Sequence, residues 1–311
     1  PAVDVEAVRN AHFKVALDAV NSVGGIIMPR LLERMGVECI CVNCEPTGEF
    51  AHNPEPLPAN LTELSDAVKV NNADLGISVD PDVDRLALIC EDGQPFGEEY
   101  TLVSVADYLL NRVYNEALET GKSMEEITAP YLMTTSSNLS SSRALRDVTE
   151  QYGGDYYAAA VGEVNVTTRM KECGCLIGGE GNGGVIYPAL HYGRDAMVGV
   201  ALFLTNLAYK NIKVSELLAT YPKYVIAKNK IELSDSALID RILEEVKSVY
   251  ASEDINTIDG VKISFEDRKE WVHLRRSNTE PIIRIYAEAA TKEAADALAQ
   301  QIIDIAESII K

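Results

Sequence analysis

The chain contains 311 residues, of which 47% are hydrophobic and 24% charged, and its formal net charge at pH 7 is −20. This length favours two or three domains, and the composition is that of a globular protein. No apolar run approaches the roughly 20 residues of a transmembrane helix, so we expect no membrane partner. The acidic balance argues against nucleic acid as a partner, because proteins hold nucleic acid mainly through Lys and Arg.

The cysteines lie mostly in apolar, strand-like segments. Among the six cysteines, Cys41 and Cys44 form a Cys-x-x-Cys pair. No second pair follows at the spacing that is typical of a zinc site. We therefore interpret the cysteines as buried thiols in a reducing compartment, and we predict a cytoplasmic protein.

The first part of the chain alternates between strand-like and helix-like segments. Short runs rich in branched apolar residues predict strands over residues 13–20, 37–44, 75–79 and 86–90. Apolar residues at helical spacing predict helices over residues 24–35, 60–71 and 100–117. Such alternation is typical of an α/β domain, which we place at residues 1–118.

The rest of the chain contains a second alternating region and then a region of different character. After a predicted linker over 121–129, strands are predicted over 131–135 and 156–161, and helices over 141–152, 164–173 and 195–209. Predicted strands then become consecutive, over 225–233, 261–265, 271–274 and 282–288, with helices over 236–250 and 292–310. The sequence therefore predicts two consecutive mixed α/β domains, residues 1–118 and 119–224, and a small α+β domain, residues 225–311.

An acidic run joins two of the predicted strands. Asp80, Asp82 and Asp84 occupy alternate positions, and Arg85 follows them. Alternate positions in a tight loop can bring three carboxylates to one hard cation, and Mg²⁺ prefers few carboxylates together with water or phosphate. A calcium EF-hand is excluded because Arg85 stands where that loop requires glycine. A solvated acidic turn is the alternative to this predicted magnesium site.

A glycine-rich run extends from Gly178 to Gly184 and contains Glu180 and Asn182. Its spacing matches the dinucleotide fingerprint, but that fingerprint must open a helix, and a strand-like segment follows here. A hairpin fits better, in which flexible backbone lets a ligand approach and the two polar side chains bind sugar hydroxyls. A tight hairpin without any ligand remains possible, since glycine alone indicates only a demanding turn.

The third motif follows a predicted strand near the end of the chain. Two guanidiniums, two hydroxyls and an amide lie within five residues: Arg275, Arg276, Ser277, Asn278 and Thr279. These groups are suited to binding a phosphate monoester. Ser277 and Asn278 are equally typical of residues that only shape a turn.

Together the three motifs, in this order, resemble those of the α-D-phosphohexomutase superfamily, which includes phosphoglucomutase, phosphomannomutase and phosphoglucosamine mutase. The resemblance covers essentially all 311 residues. It implies two phosphohexomutase α/β domains followed by an α+β domain like the TATA-binding protein. It also implies an isomerase that interconverts hexose 1- and 6-phosphates through a phosphoserine and a bisphosphorylated sugar. The implied substrates are phosphates of glucose, mannose or glucosamine.

The resemblance also assigns roles to individual residues. Mg²⁺ would be the cofactor, bound by Asp80, Asp82 and Asp84. Arg85 would lie near the transferring phosphoryl group as a catalytic residue, and Glu180 and Asn182 would bind sugar hydroxyls. The phosphate that does not react would be held by Arg275, Ser277, Asn278 and Thr279.

The chain departs from the family pattern at the nucleophile. The family's serine loop reads Ser-His-Asn-Pro, whereas this chain has Ala51-His52-Asn53-Pro54 in a different segment, so we expect His52 to be structural. We expect that an N-terminal phosphoserine domain, the natural partner of these residues, is missing and that the fragment alone is inactive. Glu163 takes a place that is histidine in some members, which leaves the general acid/base open. A non-catalytic phosphosugar-binding protein is the rival hypothesis.

Overall fold

The structure, a computed structural model, describes residues 2–233, 237–277 and 282–310. The chain forms two compact units. The first unit contains Pro1–Ala158 and Gly162–Tyr221, and the second contains Ala159–Val161 and Pro222–Lys311. None of the helices in the described ranges has the length and hydropathy that crossing a membrane would require.

The first unit begins with a four-stranded sheet. Its strands are β1 (Lys14–Asp18), β2 (Glu38–Val42), β3 (Leu75–Val79) and β4 (Leu86–Cys90), and its helices are α1 (Val5–Ala11), α2 (Gly24–Arg34), α3 (Thr62–Asn71) and α4 (Glu98–Thr120). The strand order is β2-β1-β3-β4, with β1 parallel to both of its neighbours. Strands β3 and β4 are antiparallel, and all their residues are buried. The acidic run is therefore the turn of a hairpin that is fixed in the core on both sides.

A second four-stranded sheet belongs to the first unit except for Ala159, the last residue of one strand, which the second unit contains. Its strands are β5 (Leu132–Asn138), β6 (Asp155–Ala159), β7 (Cys175–Glu180) and β8 (Gly184–Ile186), and its helices are α5 (Met124–Thr128), α6 (Ala144–Gln151), α7 (Glu163–Cys173), α8 (Ala196–Lys210) and α9 (Val214–Ala219). The order is β6-β5-β7-β8, in which β5 and β7 are parallel and β7 and β8 antiparallel. Helix α4 packs against α6 and α8, which joins the two sheets within one unit.

Two predictions in this region were wrong in detail. The segment predicted as a linker contains α5, which begins at a capping box in which the Ser123 hydroxyl accepts from the Glu126 N–H and the Glu126 side chain accepts in return. Strand β5 extends three residues beyond its predicted end, through Ser136, Ser137 and Asn138. These polar side chains resemble a loop in the sequence, but all three are buried in the sheet.

The second unit is built around one antiparallel sheet. Its elements are β9 (Val225–Glu232), α10 (Ala237–Val249), β10 (Asp254–Asn256), β11 (Val261–Phe265), β12 (Glu270–Arg276), β13 (Ile282–Ala289) and α11 (Lys292–Ile310). The strand order is β10-β11-β12-β13-β9, and every neighbouring pair is antiparallel. Apolar residues of both helices pack with the sheet in one core, including Ile242, Ile285 and Leu298. The predicted fold class, two mixed α/β sheets followed by an α+β region, is confirmed.

Candidate functional site

The turn between β3 and β4, residues 80–85, brings three carboxylates together, and we call it the metal loop. One carboxylate oxygen each from Asp80, Asp82 and Asp84 lies within 4.8 Å of the other two. Asp80 is buried, Asp82 is exposed and Asp84 is intermediate, so the group opens towards solvent on one side. Few carboxylates with room for further oxygen ligands is the donor set that suits Mg²⁺. The residues present therefore fit the predicted cation.

Asp80 holds the metal loop in its conformation by accepting hydrogen bonds from other residues of the loop. Its Oδ1 accepts hydrogen bonds from the backbone N–H groups of Asp84 and Arg85, each at 3.0 Å. Its Oδ2 accepts from Nε of Arg85 at 2.7 Å. Val83 has φ +62°, a left-handed conformation that tightens the turn so that these donors converge. The carboxylate of Asp80 thus acts as the centre around which the loop folds.

The same contacts decide the charge of Asp80. Burial raises the pKa of this carboxyl, but the hydrogen bonds from Arg85 and its positive charge outweigh burial, and the pKa is lowered overall. Asp80 is therefore ionised at neutral pH although its side chain is only 1% exposed.

Asp84 experiences the opposite balance. Burial raises its pKa to about 6, and the neighbouring carboxylates of Asp80 and Asp82 add to the rise, whereas Arg194 opposes it. Carboxylates this close repel one another when all are ionised. A bound cation would remove that repulsion, which is a second reason why the cluster fits a metal.

The predicted glycine hairpin is present, formed by β7, the turn 181–183 and β8. Because a strand and not a helix follows the run, the hairpin prediction is confirmed and the dinucleotide fingerprint is excluded. Glu180 is 5% exposed, and its Oε1 accepts from Nδ2 of Asn138 at 2.8 Å and from the Gly162 N–H at 3.2 Å. Asn182 caps the turn, since its Oδ1 accepts from the Gly184 N–H at 3.2 Å.

The hairpin and the metal loop are in direct contact. The N–H of Leu86, the first residue after the metal loop, donates to the carbonyl of Gly183 at 3.1 Å. Gly183 has φ +87°, and a Cβ there would lie 2.3 Å from the Leu86 carbonyl oxygen. Only glycine allows this close approach. The sequence predicted each loop separately, and the structure brings the two together.

Arg194 connects the two loops through its side chain, and no sequence motif pointed to this residue. The guanidinium pairs through Nη2 with Asp84, through Nη1 with Glu180 at 3.0 Å, and through Nε with Glu163 at 3.4 Å. The N–H of Arg194 also donates to Glu163 at 2.9 Å. Asp195, the next residue, caps α8 by accepting from two backbone N–H groups. A single arginine before a helix carries no motif that pattern analysis can detect.

Polar residues near the end of β5 also contact the glycine hairpin. The sequence motifs did not identify them. The Ser141 hydroxyl accepts from the Gly181 N–H at 2.9 Å, and Glu99 of α4 accepts from the Ser142 N–H at 2.8 Å. A Cβ on Gly181 would lie only 1.9 Å from the Glu99 carboxylate. The hairpin therefore has little freedom on this side.

The predicted phosphate motif belongs to the second unit. Arg275 lies at the end of β12, with Nη1 4.0 Å from Oδ2 of Asp259. Ser277 is buried, and its N–H donates to the Ile282 carbonyl at 3.0 Å. Asn278 and Thr279 lie outside the described residues. Arg284 of β13 is the direct cross-strand neighbour of Arg275, which adds a second guanidinium to this part of the sheet.

Three family models match most of the chain. Residues 1–93, 101–224 and 228–305 match, in order, the phosphoglucomutase/phosphomannomutase alpha/beta/alpha domain II, alpha/beta/alpha domain III and C-terminal domain. The chain therefore belongs to the phosphoglucomutase/phosphomannomutase family, the phosphohexomutases.

Similar proteins agree with this family. A probable phosphoglucosamine mutase of Methanopyrus kandleri is 32% identical over 97% of this chain and 63% of its own length. A phosphoglucomutase/phosphomannomutase of Thermococcus kodakarensis is 35% identical over 99% of this chain and 64% of its own length. The chain thus spans slightly less than two thirds of the length of these relatives.

Solved structures share the fold. A phosphoglucomutase/phosphomannomutase family protein of Burkholderia thailandensis superimposes with a TM-score of 0.80 at 24% identity, covering 98% of this chain and 63% of that one. An N-acetylphosphoglucosamine mutase of Aspergillus fumigatus, in complex with GlcNAc-6P and magnesium, gives a TM-score of 0.67 at 16% identity, covering 99% and 64%.

Proposed function

We propose that this chain provides the metal, sugar and phosphate sites of a phosphohexomutase, an intramolecular phosphotransferase that interconverts the 1- and 6-phosphates of a hexose. The observation that carries the proposal is the junction of the metal loop and the glycine hairpin. The backbone bond from Leu86 to Gly183 places a cluster of carboxylates suited to Mg²⁺ next to a turn that presents polar side chains. Such a site can bind a phosphorylated sugar, with the metal for the phosphate and the polar side chains for the hydroxyls.

The proposed roles at the metal loop are those that the family resemblance implies, and the geometry of the loop supports them. Asp80, Asp82 and Asp84 would hold Mg²⁺, which when bound neutralises the charge of the transferring phosphoryl group. The hydrogen bond from Nε of Arg85 to Asp80 orients the guanidinium, and its other N–H groups would contact the phosphoryl oxygens. Phosphoryl transfer depends mainly on such positioning and charge neutralisation.

The proposed roles at the sugar and phosphate sites rest on donor and acceptor chemistry. Glu180 and Asn182 would hydrogen-bond sugar hydroxyls, with Glu180 oriented by Asn138. Arg275 and Ser277, with Asn278 and Thr279 beyond the described residues, would hold the phosphate that does not react. We retain residues 1–118, 119–224 and 225–311 as the proposed domains that carry these three sites.

The phosphoryl donor is proposed to lie outside these residues. Ala51 stands where a Ser-His-Asn-Pro loop would have its nucleophile. His52 has both ring nitrogens engaged, Nε2 at 3.0 Å from Oδ2 of Asp18 and Nδ1 at 2.8 Å from the Asn53 carbonyl oxygen. This supports a structural role for His52. We propose that a phosphoserine on a further domain donates the phosphoryl group, that the 311-residue chain alone does not turn over, and that the enzyme works in the cytoplasm.

The test compares two proteins on three substrates. The product of the whole gene and the 311-residue chain are assayed with the 1-phosphates of glucose, mannose and glucosamine, in the presence of Mg²⁺ and a hexose 1,6-bisphosphate to charge the serine. We expect isomerisation by the first protein and none by the second. The relatives' names include both glucosamine and glucose/mannose mutases, and the rates will rank these sugars. If the whole gene product binds a hexose phosphate but isomerises none, the phosphosugar-binding alternative replaces the enzyme.

A further inference from the structure

The contact between Arg194 and Asp84 joins the metal loop to a residue distant in the chain, whereas the contacts of Asp80 lie within the loop. Asp80 is bonded within the loop, to two backbone N–H groups and to Arg85. Asp84 instead pairs through Oδ2 with Arg194, which lies 110 residues further along the chain. Its Oδ1 is 3.8 Å from Nε of Arg85. Both oxygens of this proposed ligand therefore face a guanidinium, so a cation bound to either one would lie beside a positive charge.

Arg194 also has other carboxylates to bind if it leaves Asp84. Nη1 is paired with Glu180 at 3.0 Å, and Glu163 accepts from the backbone N–H at 2.9 Å and pairs with Nε at 3.4 Å. The side chain is only 19% exposed, and it has room because residue 184 is glycine. A Cβ on Gly184 would lie 2.4 Å from Cδ of Arg194. The backbone and two of three ion pairs can thus persist without Asp84.

Charge balance explains why an arginine stands here. The carboxylates of Asp80, Asp82, Asp84, Glu163 and Glu180 lie around the guanidiniums of Arg85 and Arg194, and the charge of Glu55 also acts on Arg85. Without a metal, Arg194 supplies the positive charge that Asp84 needs. A divalent cation at the metal loop would supply that charge directly, and it would repel Arg194 at the same time.

We propose that Arg194 is an internal cation that competes with Mg²⁺ for Asp84, so that metal binding releases Arg194 from the metal loop to Glu180 and Glu163. The proposal rests on the proposed function only in taking the metal loop as the Mg²⁺ site. Because Arg194 also holds Glu180, arrival of the metal redistributes the ion pairs of the residue proposed to bind sugar. Arg194 is in this sense a positioning residue, because it makes the glycine hairpin respond to metal binding.

The alternative is that Arg194 orients Asp84 for the metal, as hydrogen-bonded neighbours of metal ligands often do. The two hypotheses predict opposite signs. Removal of a competing cation strengthens metal binding, whereas removal of an orienting partner weakens it. The sign of the change in metal affinity therefore decides between them.

The experiment measures Mn²⁺ and Mg²⁺ affinity of the 311-residue chain by calorimetry at about pH 8, where carboxylates are ionised. We expect Arg194→Met to lower the dissociation constant about tenfold, since one competing charge is removed. Arg146→Met is the matched control, because it removes the same charge from an exposed pair with Glu150 and should leave the affinity within about twofold. Asp82→Asn should abolish or strongly weaken binding in either background.

A second measurement is made on the wild-type protein and uses an Arg194 variant only to assign a signal. In wild-type protein with ¹⁵N-labelled arginine, Mg²⁺ should shift the Nε–H signal of Arg194, assigned from Arg194→Lys, with the same midpoint as the calorimetric titration. An unchanged or weaker affinity in Arg194→Met, or an unshifted signal, overturns the inference while leaving the metal site intact. If neither the wild type nor Arg194→Met binds the metal, the proposed metal site is wrong, and this inference is wrong with it.

Discussion

The Nε of Arg85 donates to Oδ2 of Asp80 over 2.7 Å, and this bond joins a buried carboxylate, 1% exposed, to a guanidinium that is 27% exposed. Asp80 is proposed to bind the metal, and Arg85 is proposed to contact the phosphoryl group. Because each residue orients the other, a change in either one should affect both the metal and the phosphoryl transfer.

Replacement of Arg85 by lysine should lower kcat of the whole gene product by about 10²-fold, the order that loss of one preorganised donor produces. Lysine keeps the charge but cannot bond Asp80 and a phosphoryl oxygen in one plane. The measurement is steady-state kinetics at saturating Mg²⁺. Arg268→Lys is the control, since Arg268 pairs with Glu270 in the second unit and should not change kcat. Equal rates for wild type and Arg85→Lys would remove Arg85 from the catalytic group.

Asp80→Asn and Asp82→Asn should separate stability from metal binding. Asp80 accepts three hydrogen bonds and is buried, so its replacement leaves Arg85 without its buried partner and should lower the free energy of unfolding by about 2–3 kcal/mol. Asp82 is exposed, and its replacement should change stability by less than about 0.5 kcal/mol while weakening Mg²⁺ binding. Thermal unfolding by circular dichroism, together with metal titration, distinguishes them. Similar losses of stability in both variants would contradict the burial argument.

Gly183→Ala should destabilise the first unit more than the same substitution at Gly153, another glycine with a left-handed backbone. Gly183 and Gly153 both have positive φ, +87° and +75°, so alanine costs about 1–2 kcal/mol of backbone strain at either position. At Gly153 a Cβ meets nothing within 4 Å, whereas at Gly183 it meets the Leu86 carbonyl at 2.3 Å. The difference in unfolding free energy between the two variants reports the contact alone. If the two variants are equally stable, the metal loop and hairpin are not held together as described.

His273 should make the second unit less stable as the pH falls. Burial lowers its pKa to about 4, with Lys262 and Arg275 adding to the effect, while the bond from Nε2 to the Asp259 carbonyl opposes it. The unfolded chain binds a proton near pH 6.5, so stability is full above that pH and is lost as the pH falls from about 6.5 to about 4. The loss approaches about 3 kcal/mol at the lower end.

The single tryptophan gives the measurement for this pH dependence. Trp271 lies two residues away in β12 and is buried, so its fluorescence in urea follows the second unit. His273→Gln retains a donor for the Asp259 carbonyl but has no titrating ring. The slope of stability between pH 4 and pH 6.5, about 1.4 kcal/mol per pH unit for one proton, should be smaller in this variant. An identical slope in both proteins would assign the acid sensitivity to other groups.

Sequence patterns predicted the elements that carry the site better than the contacts that complete it. The strands on both sides of the metal loop were predicted at their observed bounds, because five-residue buried runs have a strong apolar signal. The helix α5 was missed although Ser123 and Glu126 form a recognisable capping box. Such a short helix adds little apolar periodicity, and the neighbouring charges resembled a linker.

The missed residues of the site share one property, which is that their roles depend on tertiary contacts. Arg194, Asn138 and Glu99 each act on a loop that is distant in the chain. Nothing in their local sequence differs from an ordinary polar residue. The order of the strands was equally hidden, because periodicity identifies a strand but not its neighbour. A single sequence therefore predicts which loops carry chemistry, and the fold decides which of them meet.

The backbone hydrogen bond between Leu86 and Gly183 has a consequence for the proposed reaction. In the proposed reaction, a bisphosphorylated sugar would present first one phosphate and then the other to the metal loop. The metal loop and the glycine hairpin are hydrogen-bonded to each other within one compact unit. If this hydrogen bond is kept throughout the proposed reaction, the sugar itself would have to turn between the two transfers, and the surrounding groups should bind it in two opposite orientations.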